Sequence, residues 1–353
     1  MPAPVMEWES RIGRRVRLRD LHILASVVQA GSMAGAAAKL RMSQPAISEA
    51  IANLEAALRV RLLDRSPRGV EPTIYADALL RRGRVVFDEL SQGVRDIEFL
   101  ADPTVGEVRI GCPENLASGF VPTIIDRMSR RYPRIAFHVT PVEPAAMGFR
   151  ELRERSVDLM VGRILHPPLD DDLNAEVLFE DRLLVVAGSR SPWTRRRKIA
   201  IEELMHAHWV HLPANTPVDA YVTAGLEARG FVLPPPTVRT YSMHVRNHLI
   251  STGRFLALIW NWTLNFNASA WSFKALPVEL GIPARPVAIV TLKNRTLSPV
   301  VEILIAHARE LAQSMQPSSL KGVAPRSTTG RRVQPVRPLQ PRQAGSKHRG
   351  DPG

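Results

Sequence analysis

Three patterns of apolar and polar positions succeed one another along the chain. From Leu18 to Leu63 apolar residues return every three or four positions, the spacing of amphipathic helices. Leu21, Leu24, Ala25 and Val28 predict one face of a first helix, ended by Gly31. Ser32 is expected to cap a second helix that turns Ala36, Ala37 and Leu40 inward. Arg41 to Ser43 turn the chain, and Ser43 is expected to cap a third helix that tolerates Pro45 in its first turn. Ile47, Ile51, Leu54 and Leu58 line the buried side of that helix. Helix, tight turn and second helix is the helix-turn-helix plan. The outward face carries Gln44, Ser48, Glu49, Ala52 and Asn53. Such short polar groups at a helix start suit base edges in a major groove, where Gln pairs with adenine N6 and N7 and Glu accepts from cytosine N4.

A longer helical pattern runs from Thr73, its expected cap, to Leu100, with Ile74, Leu79, Val86, Leu90, Val94 and Ile97 along one seam. A lone helix with such a stripe has nothing to bury it against, so it predicts pairing with another copy. A homodimer, or a homotetramer built from it, would then read two half-sites of an interrupted palindrome.

After Asp102-Pro103 strands and helices alternate. Strands are expected at Val108 to Gly111, Ile135 to Val139, Leu159 to Gly162 and Leu183 to Ala187, with helices at Phe120 to Tyr132 and Met147 to Arg155. A second set spans Ile201 to Leu204, Trp209 to Leu212, Val218 to Arg229, Val245 to Thr252, Phe255 to Ile259 and Ser272 to Leu276. Arg285 to Thr291 and Ser298 to Ala312 close the chain. The alternation predicts parallel sheets covered by helices, in two α/β lobes with a ligand cleft beyond the strand ends.

Composition narrows this picture. The formal net charge of the 353 residues is +13, but residues 1–100 and 101–316 each carry only +3, and residues 317–353 carry +7. The tail from Pro317, rich in Pro, Arg, Gln, Gly and Ser, is expected to be disordered and to add attraction to phosphates. Cys112 is the only cysteine, which excludes an internal disulfide and suits a reducing cytoplasm. Arg11 to Arg19 before an apolar stretch imitates an export signal, yet Asp20, His22 and Gln29 interrupt it. No stretch approaches the roughly 20 apolar residues of a membrane span.

The run GSMAGAAAKLRMSQPAISEAIANLEAALRVRLLDR, Gly31 to Arg65, resembles the LysR family of bacterial transcriptional regulators. Further landmarks follow in order: RIG at Arg109 to Gly111, VDLMVGR at Val157 to Arg163, LFEDRLLVVAG at Leu178 to Gly188, and LKNRTLSP at Leu292 to Pro299. The resemblance covers about residues 18–314. It implies a fold of mixed α/β class: a winged helix-turn-helix, a linker helix, and a two-lobed effector domain like the periplasmic binding proteins. The expected division is an extension 1–15, DNA-binding domain 16–72, linker 73–102, effector domain 103–316 and basic tail 317–353. Within the effector domain, the first lobe takes about 106–182 and 283–314, and the second about 183–282.

The resemblance places Gln44, Pro45 and Ser48 against the bases, with Arg65 and Arg68 on the wing beside phosphates; Ser32, Ser43, Glu49, Ala52 and Asn53 complete the candidate interface. Glu49, where relatives commonly carry a basic or amide residue, points to a cytosine-containing half-site. Effector-binding candidates are Pro113, Glu114, Asn115, Pro144, Ala145, Asn215, Thr216, Ser242 and Met243. Glu114, in a loop where relatives hold a carboxylate with Ser or Thr, argues for a neutral polyol or sugar or a cationic effector. The resemblance also implies duplex DNA and RNA polymerase as partners, with no membrane. No cofactor or metal is expected: His206, His208 and His211 have no acidic ligand near, Cys112 has no neighbouring base, and no phosphate-binding or nucleophile motif occurs. An enzyme, and an exported or cytoplasmic small-molecule receptor without DNA binding, are the readings set aside.

Overall fold

The computed structural model describes residues 15–66, 69–142, 148–165, 169–232 and 234–315. The first helices are Leu18–Ala30, Met33–Leu40 and Gln44–Leu58. Gly31 ends the first in a left-handed conformation, φ 66°, which glycine adopts without penalty. Arg41 takes the same conformation in the turn between the second and third helices, φ 54°. Ala36, Ala37, Ile47, Ile51 and Leu54 are buried as their spacing predicts. In the first helix the stripe is displaced: Ile23 and Val27 join Leu21 and Leu24 in the core, while Ala25 and Val28 are half-buried. A helix wedged between two others buries a wider arc than one apolar stripe reveals.

Two short strands follow, β1 (Leu63–Ser66) and β2 (Gly69–Pro72), paired antiparallel as a wing. The Val70 N–H donates to the Gly31 carbonyl at 2.9 Å. A Cβ on Gly69 would stand 2.7 Å from that same oxygen, so the wing sits against the first turn only because Gly69 has no side chain. Thr73 then caps the 28-residue linker helix Ile74–Ala101, accepting the Ala76 N–H. Leu79, Leu80 and Phe87 pack on the helix-turn-helix core. Leu79 therefore leaves the predicted seam. Ile74, Val86, Leu90, Val94, Ile97 and Leu100 remain exposed.

The rest of the chain forms two five-stranded sheets. The first contains β3 (Val105–Cys112), β4 (Arg134–Pro141), β5 (Leu159–Arg163), β6 (Leu173–Asp181) and β12 (Arg285–Leu292), in the order β4-β3-β5-β12-β6. The second contains β7 (Leu183–Gly188), β8 (His208–His211), β9 (Val238–Arg239), β10 (Phe255–Trp260) and β11 (Phe273–Ala275), in the order β11-β7-β10-β8-β9. The alternation predicts parallel sheets, yet both are mixed. β3 lies parallel to β4 and β5, and β8 parallel to β9 and β10, while β12 is antiparallel to β5 and β6, and β7 to β10 and β11. The cause is the crossing between sheets. Only Arg182 separates β6 from β7, so the chain steps directly from one sheet into the other without a helical crossover, and β12 returns in the opposite sense. Of the helix expected over Met147 to Arg155, the described residues form only Arg150–Arg153, flanked by left-handed Phe149 and Arg155, and Met147 lies outside them. β6, β9 and the helix Asn261–Phe266 have no counterpart in the sequence reading.

The linker helix is tied to the first lobe by an enclosed ionic network. Arg295 donates to Asp88 on the linker helix from Nε at 3.0 Å and from Nη2 at 2.9 Å, and to Asp158 at 2.8 Å. Arg155 meets Asp88 at 2.7 Å and Glu89 at 2.8 Å, and Arg109 meets Asp158 at 2.6 Å. The Arg295 side chain is completely enclosed, and spends its remaining donor on the Val157 carbonyl. Three guanidinium and three carboxylate groups thus balance. Burial pushes the Asp158 carboxyl up, but hydrogen bonds from the Arg109 side chain and backbone, with the charges of Arg109 and Arg295, outweigh it and hold it below the ordinary carboxylate range.

Arg295→Ala leaves two enclosed carboxylates short of a partner, and is expected to cost about 3–5 kcal/mol in urea unfolding of the full chain. A carboxylate lowered in the folded state stabilises above its unfolded value, near pH 3.9, and loses that contribution as the pH falls through the folded value. Stability should therefore decline below about pH 4, and Asp158→Asn should lower it at neutral pH while flattening that acid decline.

Candidate nucleic-acid interface and inter-lobe cleft

The third helix is fixed from within. Ile47, Ile51 and Leu54 are fully buried, and Ser43 caps the helix, its Oγ accepting the Ala46 N–H at 3.4 Å. On the other side Gln44, Pro45, Glu49, Ala52 and Asn53 are exposed, and Ser48 is half-buried. Ser32 is also half-buried and engaged, accepting the Gly35 N–H at 3.0 Å. A Cβ on Gly35 would come within 2.9 Å of that hydroxyl oxygen, so a side chain there would have to push the cap aside. The wing is hung from the same helix: Glu55 Oε1 accepts the N–H groups of Leu62 at 2.7 Å and Leu63 at 3.2 Å. Arg65 is exposed on β1, opposite Val70. Arg68 lies outside the described residues.

A cavity of about 310 Å³ opens between the two sheets' domains. Pro113, Glu114 and Asn115 line it from the loop after β3, and Thr216 and Met243 from the starts of the helices Pro217–Glu227 and Met243–Ser251. Thr216 and Ser242 are the caps of those helices, accepting the N–H groups of Asp219 at 3.2 Å and Val245 at 3.3 Å. Ser242 and the left-handed, exposed Asn215 stand beside the lining rather than in it. Pro144 and Ala145 lie outside the described residues. Glu114 is exposed.

Behind the cavity wall formed by Asn115 and Trp260 stand residues that the sequence did not single out as a site. Arg163, at the end of β5, donates to Asp181 at 2.5 Å and to Asn115 Oδ1 at 3.2 Å, and its guanidinium stacks 4.3 Å over the Trp260 ring. Asp181 also accepts the Trp262 N–H at 3.1 Å, and Thr263 donates to the Asn115 carbonyl at 3.3 Å. Charged residues at the ends of otherwise apolar strands were the signal available for this group. Arg246 and His211 line the cavity as well. Arg246 lies three residues after buried Met243 and four before buried Ile250, a cation on the inward side of its helix. Burial lowers the pKa of His211, assisted by the charge of Arg239 and opposed by Asp219, which leaves the ring neutral at neutral pH. Burial pushes the Cys112 thiol up to about 12, so it stays protonated and packs as an apolar group.

This arrangement defines a winged helix-turn-helix protein joined by a long helix to a two-lobed ligand-binding domain. Residues 18–77 match the profile "Bacterial regulatory helix-turn-helix protein, lysR family", and residues 101–313 match "LysR substrate binding domain". The chain belongs to the LysR family: it is a DNA-binding transcriptional regulator with an effector-binding domain. Among curated relatives, the regulator YdcI of Escherichia coli is 24% identical over 86% of this chain and 99% of its own. TdcA of the same species is 26% identical over 83% and 93%. GbpR of Azospirillum brasilense is 24% identical over 89% and 92%. Among solved structures, CbnR in complex with its target DNA superposes with a TM-score of 0.60 at 18% identity, over 84% of this chain and 99% of that one. Full-length OxyR from Pseudomonas aeruginosa gives 0.60 at 20%, over 83% and 95%. The relatives are regulators rather than enzymes. No helix among the described residues is long and apolar enough to cross a membrane.

The turn at Arg41 offers a direct check on the local geometry. A left-handed side-chain-bearing residue costs roughly 1–2 kcal/mol, and glycine gives back roughly 0.5–1 kcal/mol in unfolded-state entropy. Arg41→Gly is therefore expected to stabilise the DNA-binding domain by about 0.5–1 kcal/mol in thermal melts, and Arg41→Val to destabilise it.

Proposed function

We propose that the chain binds an interrupted palindromic operator as a homodimer or homotetramer, with the first turn of Gln44–Leu58 in the major groove. A small molecule held between the lobes controls that binding. The observation that carries this reading is the two-sidedness of one helix: Ile47, Ile51 and Leu54 are wholly enclosed, while Gln44, Pro45, Glu49, Ala52 and Asn53 face outward. Gln44 pairs with an adenine and Glu49 accepts from a cytosine amine, while Ser43, Ser48 and Asn53 flank them and Arg65 and Arg68 neutralise phosphates from the wing. The bare stripe from Val86 to Ile97 on the linker helix is covered by the same stripe of a second copy. Pro113, Glu114, Asn115, Thr216 and Met243 receive the effector, with Asn215 and Ser242 beside them; Pro144 and Ala145 are assigned to the site by the resemblance alone. Its binding favours one lobe arrangement, and so one spacing of the paired DNA-reading domains and one presentation to RNA polymerase. The chain acts in the cytoplasm and by binding rather than catalysis.

Selection from random duplex DNA, followed by titration against salt, tests the reading. Gln44→Ala should relax preference at one base position by about 1–3 kcal/mol, and Glu49→Gln should change the selected half-site. Arg65→Ala should weaken all sequences alike and lower the salt slope by about one. A wild-type chain that ignores duplex DNA even at low salt would refute the reading. Leu90→Glu with Val94→Glu should convert the protein to monomers by light scattering, with loss of operator affinity.

A further inference from the structure

Within the cleft, two polar groups stand out because nothing satisfies them. Arg246 Nη2 and His211 Nε2 are both closed off from solvent and, among the described residues, have no hydrogen-bond partner. Both side chains line the same cavity. Enclosed polar atoms in folded proteins are almost always paired, and an enclosed, uncompensated guanidinium is costly. Arg246 spends only a long contact from Nε, 3.4 Å, on Asn247 Oδ1. Burial lowers its pKa to about 10, so it remains a cation at neutral pH. Glu114 attracts it from the opposite lobe without an ion pair, and is itself exposed. The elements packed around the site otherwise offer Asp219, which stands 3.6 Å from Arg239.

The remaining walls are largely apolar: Val142, Leu183, Val210, Val222, Leu258 and the ring of Trp260. A polyol or sugar would lose its water there and find few partners in return. A cation would meet Arg246 at close range. Glu114, which from the sequence argues for such ligands, is too exposed to set the charge of the interior. The volume, about 310 Å³, is at the small end for ligand pockets.

We propose that the effector is a compact organic anion with an apolar body, its acid group held on the second lobe by Arg246 and His211. The proposal rests on the reading of this cleft as the effector site. Ligand entry turns the two enclosed atoms towards the cavity: the guanidinium supplies charge and a donor fork, the neutral imidazole donates through Nε2–H, and the apolar body lies against Trp260 and its aliphatic neighbours. The acid group thus sits across the cleft from the loop of Glu114.

The test uses the full chain and two isosteric triples: benzoate, benzamide and benzylamine, and cyclohexanecarboxylate with its amide and amine. Binding is read by thermal shift and by a fluorescence change that Trp260→Phe removes. The acids should bind in preference to the amides and amines. Arg246→Gln should weaken acid binding tenfold or more, Arg246→Lys should restore part of it, and Glu114→Gln should strengthen it. A folded Arg246→Gln that binds acids as well as the wild type would overturn the assignment. Preference for amides or amines at Trp260 would overturn the anion while leaving the cleft as the effector site. No response from any member, with operator binding intact, would overturn both.

Discussion

Asp88 lies on the linker helix and meets cations from three separated segments of the first lobe: Arg109 on β3, Arg155 before β5 and Arg295 after β12. Asp158 joins the group from the turn into β5. Enclosed ion networks add little net stability, since desolvation consumes most of the Coulombic gain; what they impose is geometry. A tilt of the linker helix by a few ångströms would leave at least one of these charges enclosed and unpaired, so the helix has one favourable seat on the lobe. That seat matters because the helix also carries the stripe from Ile74 to Leu100 and, through Leu79, Leu80 and Phe87, the core of the helix-turn-helix. The orientation of the exposed face of Gln44–Leu58 relative to the first lobe is thereby transmitted through packed contacts rather than a loose tether.

The second junction uses similar chemistry with different consequences. Arg163 and Asp181 are both enclosed and face one another where the chain crosses between the sheets. The partners of this pair come from both sides of the crossing: Asn115 from the first lobe, and Trp260 and the Trp262 N–H from the second. Asn115 and Trp260 are also in the wall of the cavity. The cavity wall and this joint therefore share residues, and the first lobe holds the linker helix. This is a contiguous physical route between cleft and DNA-reading helix, built from two charge-paired joints.

The helical segments were the most legible part of the chain. Ser32, Ser43 and Thr73 cap the helices their positions suggest, and Ile47, Ile51 and Leu54 are enclosed as their period requires, because caps and period are local properties. Ile23 and Val27 were missed because their burial is decided by two neighbouring helices at once. β6 was missed although Leu173 to Val177 alternates apolar and polar: on this edge strand Ala175 and Val177 are exposed and Glu176 is half-buried, so burial does not follow the alternation. The mixed sheets follow from the single-residue crossing at Arg182, which no local pattern announces. Arg246 was passed over for a related reason. One cation within a helix ordinarily marks a solvated face, and only the packing of Met243 and Ile250 turns it inward.

Four landmarks of the family resemblance each contribute charged residues to these two joints, although Asp88 and Arg155 lie outside them. RIG contributes Arg109, VDLMVGR contributes both Asp158 and Arg163, LFEDRLLVVAG contributes Asp181, and LKNRTLSP contributes Arg295. What makes the chain recognisable is thus the hardware that fixes lobe to lobe and lobe to linker, where losing one partner strands a charge in an enclosed setting. Much of the cavity wall takes no part in either joint, Asn115 and Trp260 excepted. Arg246, His211 and Glu114 lie outside every landmark, and a change there alters what binds without unseating the fold. The motifs that identify the fold are therefore silent on Arg246 and His211, and likeness in those motifs reaches the joints of this protein before it reaches its ligand.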